Sequence, residues 1–219
     1  MTVKIYLTDI RPLKDEALFK KASLVINQEF KGVGFKEKRV FLAERLLLLK
    51  ALRDLGVRNP SPAIDYQDSG KPYLKKYSQY HIGISHSKDL VVLVISLSEV
   101  ACDIEYIAPL REGLAKRFFT DKEKEIIKTS SNPKLMFYRL WTLKESYLKL
   151  LDLGLRKALN SFSIDVQGRV IKVFDQENTS NYIFKEYTLQ REYQLACCLK
   201  SLDNEAEFSL FDYKLNELV

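Results

Sequence analysis

Twice along the chain, a long segment with apolar residues at helical spacing runs to a glycine stop and gives way to short strand-like runs. The first, Lys36 to Val57, carries Val40, Ala43, Leu47, Leu48, Ala51 and Leu55 on one side, with Gly56 as its stop. After proline- and glycine-punctuated loops come "YHIGIS", "LVVLVIS" and "VACDIE", joined by four- and three-residue connections that predict an antiparallel meander. In the second half, "LAKRFFTDKEKEIIK" predicts one helix, broken by "SSNP". "KLMFYRLWTLKESYLKLLDLG" predicts another, with Leu140, Leu143, Tyr147 and Leu151 in one stripe and Gly154 as the stop. Four alternating runs, from "NSFSIDV" to "YQLACCLK", then predict strands. A helix followed by a meander, repeated, predicts an α+β chain of two pseudo-symmetric lobes, residues 1–103 and 104–219, each a helix packed on an antiparallel sheet.

A chain of 219 residues, 46% hydrophobic and 29% charged, has the makeup of an ordinary globular protein rather than a disordered or membrane one. No apolar run approaches the ~18 residues of a spanning helix. The opening "MTVKIYLTDI" reads as a first strand without a secretory signal, so a cytoplasmic protein is expected. Cys102, Cys197 and Cys198 have no zinc spacing with His81 and His86, and are expected in the core. The net charge of +6 favours an anionic partner without choosing its kind.

The chemistry concentrates in a few side chains. In a strand spanning "VACDIEYI", Ala101, Asp103 and Glu105 share one face, and Cys102 and Ile104 share the other. From spacing alone, the two acids read most simply as a solvated face. A third carboxylate, Glu145, lies on the second-half helix with Lys149 one turn on, readable in isolation as an exposed ion pair. Crowded carboxylates remain ionised together only around a cation, and an all-oxygen set suits Mg²⁺ better than Zn²⁺. "GKP" sets Lys71 and Pro72 on a turn, and "SHS" flanks His86 with Ser85 and Ser87.

In order, "GKPYL", "HIGISHS", "VACDIE" and "LWTLKESYLK" closely resemble the 4′-phosphopantetheinyl transferases of the larger, surfactin-synthetase-activating type, over about Lys36 to Cys198. The last two motifs, at this separation, are the most specific. The resemblance implies the two-lobed fold, coenzyme A as substrate, Mg²⁺ as cofactor and an apo acyl or peptidyl carrier protein as partner. The reaction implied is transfer of the phosphopantetheine arm to a carrier serine, with release of adenosine 3′,5′-bisphosphate. Residue by residue, it implies Asp103, Glu105 and Glu145 as metal carboxylates, Glu145 also as base, and Lys149 at the phosphates. Lys71, Pro72, Ser85, His86 and Arg39 are implied as coenzyme contacts, and Lys31 and Lys36 are candidates for a basic run that the family carries more densely. Ala101, Cys102 and Gly83 depart from the usual residues in ways that read as packing changes.

Carrier proteins of this kind are acidic helical bundles, so Arg111, Lys116, Arg117 and Lys122, set among Leu110, Leu114, Phe118 and Phe119, are the expected docking charges. Neither a nucleic acid nor a membrane is an expected partner, and the internal duplication makes a monomer the expectation. Two alternatives stand beside this: a metal-dependent nuclease, and an inactive module that binds coenzyme A or a carrier protein.

Overall fold

The computed structural model describes residues 1–27, 29, 30, 32–110, 113–167, 170–178, 180–201 and 205–219. Lys31 and Arg111 therefore lie outside the described residues. In chain order the elements are β1 (Thr2–Asp9), α1 (Glu16–Ile26), α2 (Phe35–Asp54), β2 (Asp65–Tyr66), β3 (Pro72–Tyr73), β4 (His81–Ser87), β5 (Leu90–Ser96) and β6 (Val100–Tyr106). They continue with α3 (Leu114–Phe118), α4 (Asp121–Thr129), α5 (Pro133–Leu150), β7 (Ser163–Asp165), β8 (Lys172–Phe174), β9 (Tyr182–Leu189), β10 (Tyr193–Lys200) and β11 (Glu207–Tyr213). The α+β class and the pairing of a long helix with a sheet in each half are as the sequence predicts.

The chain divides into two compact units, Thr2–Leu97 with Glu207–Val219, and Ser98–Ala206 with Met1. The first is built on a sheet of order β11-β1-β5-β4, antiparallel except for the parallel β1–β11 pair. Its core is the apolar side of α2, with Leu42, Leu46, Leu49 and Leu52, packed with Val91, Leu93 and Ile95 from one face of β5. Burying each such side chain contributes about 1.5–3 kcal/mol. Helix α2 stops where Gly56 takes the left-handed backbone (φ +81°) that a side chain there would strain.

In the second unit, α5 packs against β6 and β10 in a sheet of order β6-β10-β9. Asn132 caps the helix by accepting a hydrogen bond from the Leu135 amide at 3.1 Å, and Pro133 fills its first position. Leu140, Leu143 and Tyr147 form the buried stripe that the spacing predicts, and Leu151 packs at its margin.

Four points of the sequence reading change. The run "VACDIE" does not extend the β4–β5 hairpin: all seven residues from Val100 to Tyr106 face Leu199 to Tyr193 on β10. A division at residue 103 would cut through β6, and the observed boundary falls between Leu97 and Ser98 instead. The single helix expected over "LAKRFFTDKEKEIIK" is two, because Thr120 starts α4 afresh through a reciprocal capping box with Glu123. Finally, β11, which the sequence reading left out, returns the end of the chain to β1.

Candidate active site

The Ala101–Asp103–Glu105 face of β6 is the one turned toward α5. Ala101 packs with Leu140, Leu143 and Tyr147, and across the register Ala196 stands opposite Asp103 and Gln194 opposite Glu105. The simplest reading from spacing, a solvated face, therefore does not hold at Asp103, since both faces of this strand are buried at positions 101 to 104. A small residue opposite Asp103 leaves room for its carboxylate beside the helix. Asp103 itself is only 5% exposed.

Glu145 and Lys149 stand one turn apart on the same side of α5. The Lys149 Nζ donates to Asp103 Oδ1 at 2.6 Å and to the Cys102 carbonyl at 3.4 Å. Burial works most strongly against the ammonium, but Asp103, with Cys102 and Glu145 adding to it, outweighs this and holds the Lys149 pKa above the usual lysine value. Glu145 is pushed the other way for a carboxyl. Burial raises its pKa most, the charge of Asp103 adds to this, Lys149 opposes it, and Glu105 adds further repulsion. The structure thus brings Asp103, Glu105, Glu145 and Lys149 into one electrostatic group. Tyr138, two turns before Glu145, joins its edge, with its phenol meeting the Ala108 backbone and raised in pKa by burial and by Glu105.

As placed, no three His, Cys, Asp or Glu side chains among the described residues close into a ready metal cage. The donor set would fit a hard cation: every candidate is a carboxylate, and the repulsion from Asp103 and Glu105 that adds to burial in raising Glu145 is what a divalent ion relieves. Mg²⁺ is commonly held by one or two carboxylates, with waters and substrate phosphates completing its shell.

The coenzyme contacts implied by the resemblance lie in the other unit and do not all converge. Successive residues of β4 alternate faces, so His86 lies on the side of Ile82 and Ile84, while Ser85 points the opposite way and is buried. Lys71 and Pro72 follow a turn in which the Gly70 amide donates to the Gln67 carbonyl at 2.8 Å and the Gln67 amide to Lys71 at 3.0 Å. Arg39 is buried on α2, donates to the Ile10 carbonyl at 3.3 Å, and lies over the Phe35 ring.

His86 lines a cavity of about 580 Å³ whose walls include Lys36, Phe41, Glu44, Arg45 and Tyr66, but not Arg39. Arg45 is the residue that sequence reasoning missed. Its guanidinium sits 3.6 Å over the Phe41 ring and bonds Glu44 at 2.5 Å. The Phe41–Arg45 spacing of one helical turn was a legible sign of this stacking. The three cysteines are buried and free, as expected, and burial pushes the Cys102 thiol up to about 12.

Comparison with known proteins follows the same residues. A profile described as the 4′-phosphopantetheinyl transferase superfamily matches residues 99–198, which span β6, α5 and β10. A 4′-phosphopantetheinyl transferase of Bacillus subtilis, ffp, is 31% identical over 152 residues, covering 68% of this chain and 67% of its own. Psf-1 of Bacillus pumilus is 27% identical over 217 residues, 90% of each chain. Sfp of Bacillus subtilis is 30% identical over 152 residues, 68% of this chain and 67% of its own.

Proposed function

The chain belongs to the 4′-phosphopantetheinyl transferase superfamily, and from that premise we propose that it moves the phosphopantetheine arm of coenzyme A onto a serine hydroxyl of an apo acyl or peptidyl carrier protein, releasing adenosine 3′,5′-bisphosphate. The observation that carries the reading is the Asp103–Lys149 contact at 2.6 Å beside a Glu145 carboxyl raised by burial and by both neighbouring acids.

Each residue then has a task set by its surroundings. A serine hydroxyl is a weak nucleophile at neutral pH, and the family resemblance makes Glu145 the carboxylate that would take its proton. Lys149, kept charged by Asp103, offers an ammonium to the transferring phosphate. Asp103, Glu105 and Glu145 would hold Mg²⁺, which supplies Lewis-acid stabilisation of charge on the pyrophosphate.

For the adenosine end, Lys36 and Arg45 are the positive side chains at the His86 cavity, set beside the carboxylates of Glu29, Glu37 and Glu44, the last already paired with Arg45, and they are the candidates there for meeting a 3′-phosphate. Lys71, Pro72, Ser85 and Arg39 remain the further contacts that the family pattern implies. The buried free cysteines agree with a reducing, cytoplasmic setting, and among the described residues no helix is long and apolar enough to cross a membrane. The test is incubation with coenzyme A, Mg²⁺ and a panel of apo carrier proteins, followed by intact-mass measurement. A carrier that gains the phosphopantetheine mass supports the assignment, and a panel left unmodified while a known transferase modifies it refutes it.

A further inference from the structure

Behind the Glu145 face of α5 lies a pair of charges that no step of the transfer uses. Lys144 and Glu123 are both fully buried, with Nζ and Oε1 at 2.9 Å. Lys144 has three N–H donors, and all are used: besides Glu123, it donates to the Leu159 carbonyl at 2.7 Å and the Phe162 carbonyl at 2.6 Å. Glu123 is equally committed, accepting from the Ile164 amide at 2.9 Å through Oε1 and from the Thr120 amide at 2.9 Å through Oε2. One ion pair thus ties α5 to the start of α4, to the turn at Leu159–Ser161 and to β7.

Burying two charges is costly, and an apolar pair of similar volume usually serves stability as well or better, so stability alone does not explain them. What an apolar pair cannot supply is a fixed direction. Lys144 precedes Glu145, and side chains one residue apart project about 100° apart round a helix. Fastening Lys144 at three points fixes the rotation and height of α5, and with them the direction in which Glu145 and Lys149 project. On the α5 residue Arg139, a fork to Glu186 with bonds of 2.8–2.9 Å fastens the helix to β9 as well, but that pair is partly exposed.

We propose that Lys144 and Glu123 are positioning residues, which aim Glu145 and Lys149 at the reacting groups from behind the helix. The proposal rests on the transferase reading of the Glu145 site. Its test is the double substitution Glu123→Leu with Lys144→Met, which removes both charges together and leaves neither unpaired. Thermal unfolding is measured beside carrier-modification kinetics. The expected result is a protein that melts near the parent, with a KM for coenzyme A within about twofold and a kcat at least tenfold lower, the split that misaimed catalytic groups produce. A double variant that melts near the parent and keeps its kcat overturns the proposal.

If the double variant does not fold, Glu123→Asp decides. It retains the charge but is one methylene shorter, so it lowers kcat at least threefold with an unchanged KM for coenzyme A, or the proposal fails. Glu145→Gln, run alongside, separates the two readings. Parental turnover in that variant removes the assignment of the site itself, whereas its loss together with full turnover in the anchor variants removes only the positioning role.

Discussion

Asp103→Asn keeps the shape of the side chain and deletes its charge. At 2.6 Å, the attraction between Asp103 and Lys149 is about 6 kcal/mol at an effective dielectric of 20. Against this stands the desolvation of a nearly buried carboxylate, several kcal/mol in general. Lys149 is 38% exposed on its side chain, so water screens what remains. The net loss expected is about 1–3 kcal/mol, a lowering of the unfolding midpoint by about 2–12 °C for a chain of this size. Taken from a typical stability of about 5–15 kcal/mol, even the larger loss leaves more than about 95% of the protein folded at 25 °C. Transfer should nonetheless fall by about 10²–10³-fold, the scale on which removing an electrostatic element from a reaction site acts. The two measurements are a thermal melt in chelator and the rate of holo-carrier formation by intact mass in limiting Mg²⁺. An Asn variant that transfers at the parental rate would falsify both the metal assignment and the role given to Lys149.

Glu145 carries a pH signature. Its folded pKa is raised, so the stability it contributes is present below the ordinary carboxyl range and is lost as pH rises through the raised value. In chelator, Glu145→Gln should therefore be more stable than the parent at neutral pH, with the gap closing below about pH 4; melts across a pH series that show a constant gap would reject the repulsion argument. Dephospho-coenzyme A should bind less tightly than coenzyme A in a low-salt titration, and the difference should shrink with salt. Arg45→Ala should shrink that difference more than Arg39→Ala does, and the opposite outcome would give Arg39 the larger part in holding the phosphate. At the carrier surface, where Lys116 and Arg117 are exposed, Lys116→Glu should raise the KM for the carrier and leave that for coenzyme A unchanged. Equal carrier constants at low ionic strength would place docking elsewhere.

How much of this was legible depended on the range of the interaction involved. Helices α2 and α5 announced themselves because their stripes and stops are local, whereas the grouping of Asp103, Glu105, Glu145 and Lys149 was legible only through the family resemblance, since spacing alone read them as a solvated face and an exposed ion pair. The partner of β6 was not legible. Residues 97–99, Leu-Ser-Glu, look like any short hairpin link, and only pairing with a strand nearly a hundred residues later shows that the chain changes sheets there. The split between α3 and α4 was written in Thr120 and Glu123, a capping signature passed over in favour of the surrounding periodicity. Arg39 was implied by the family resemblance and Arg45, on the same helix, went unread, because sequence spacing does not say which side of α2 lines the cavity with His86. Residues on the alternating faces of β4 show the same limit, since "SHS" reads as one cluster in sequence and as opposite directions in space.

The parallel pairing of β1 with β11 has a consequence for the order in which the molecule can assemble. Val3 to Thr8 stand beside Phe208 to Tyr213, so β1 must wait for β11, made about two hundred residues later, before its sheet is complete. The Thr8 hydroxyl donates to the Tyr213 carbonyl at 2.8 Å across the same junction. Ser98–Ala206, by contrast, is continuous and emerges from the ribosome before that partner strand exists. The half of the molecule that begins synthesis first is thus the half that closes last. A lesion or fusion near residue 213 would strike the sheet that starts at residue 2, while leaving the stretch carrying Asp103, Glu105, Glu145 and Lys149 free to fold on its own schedule.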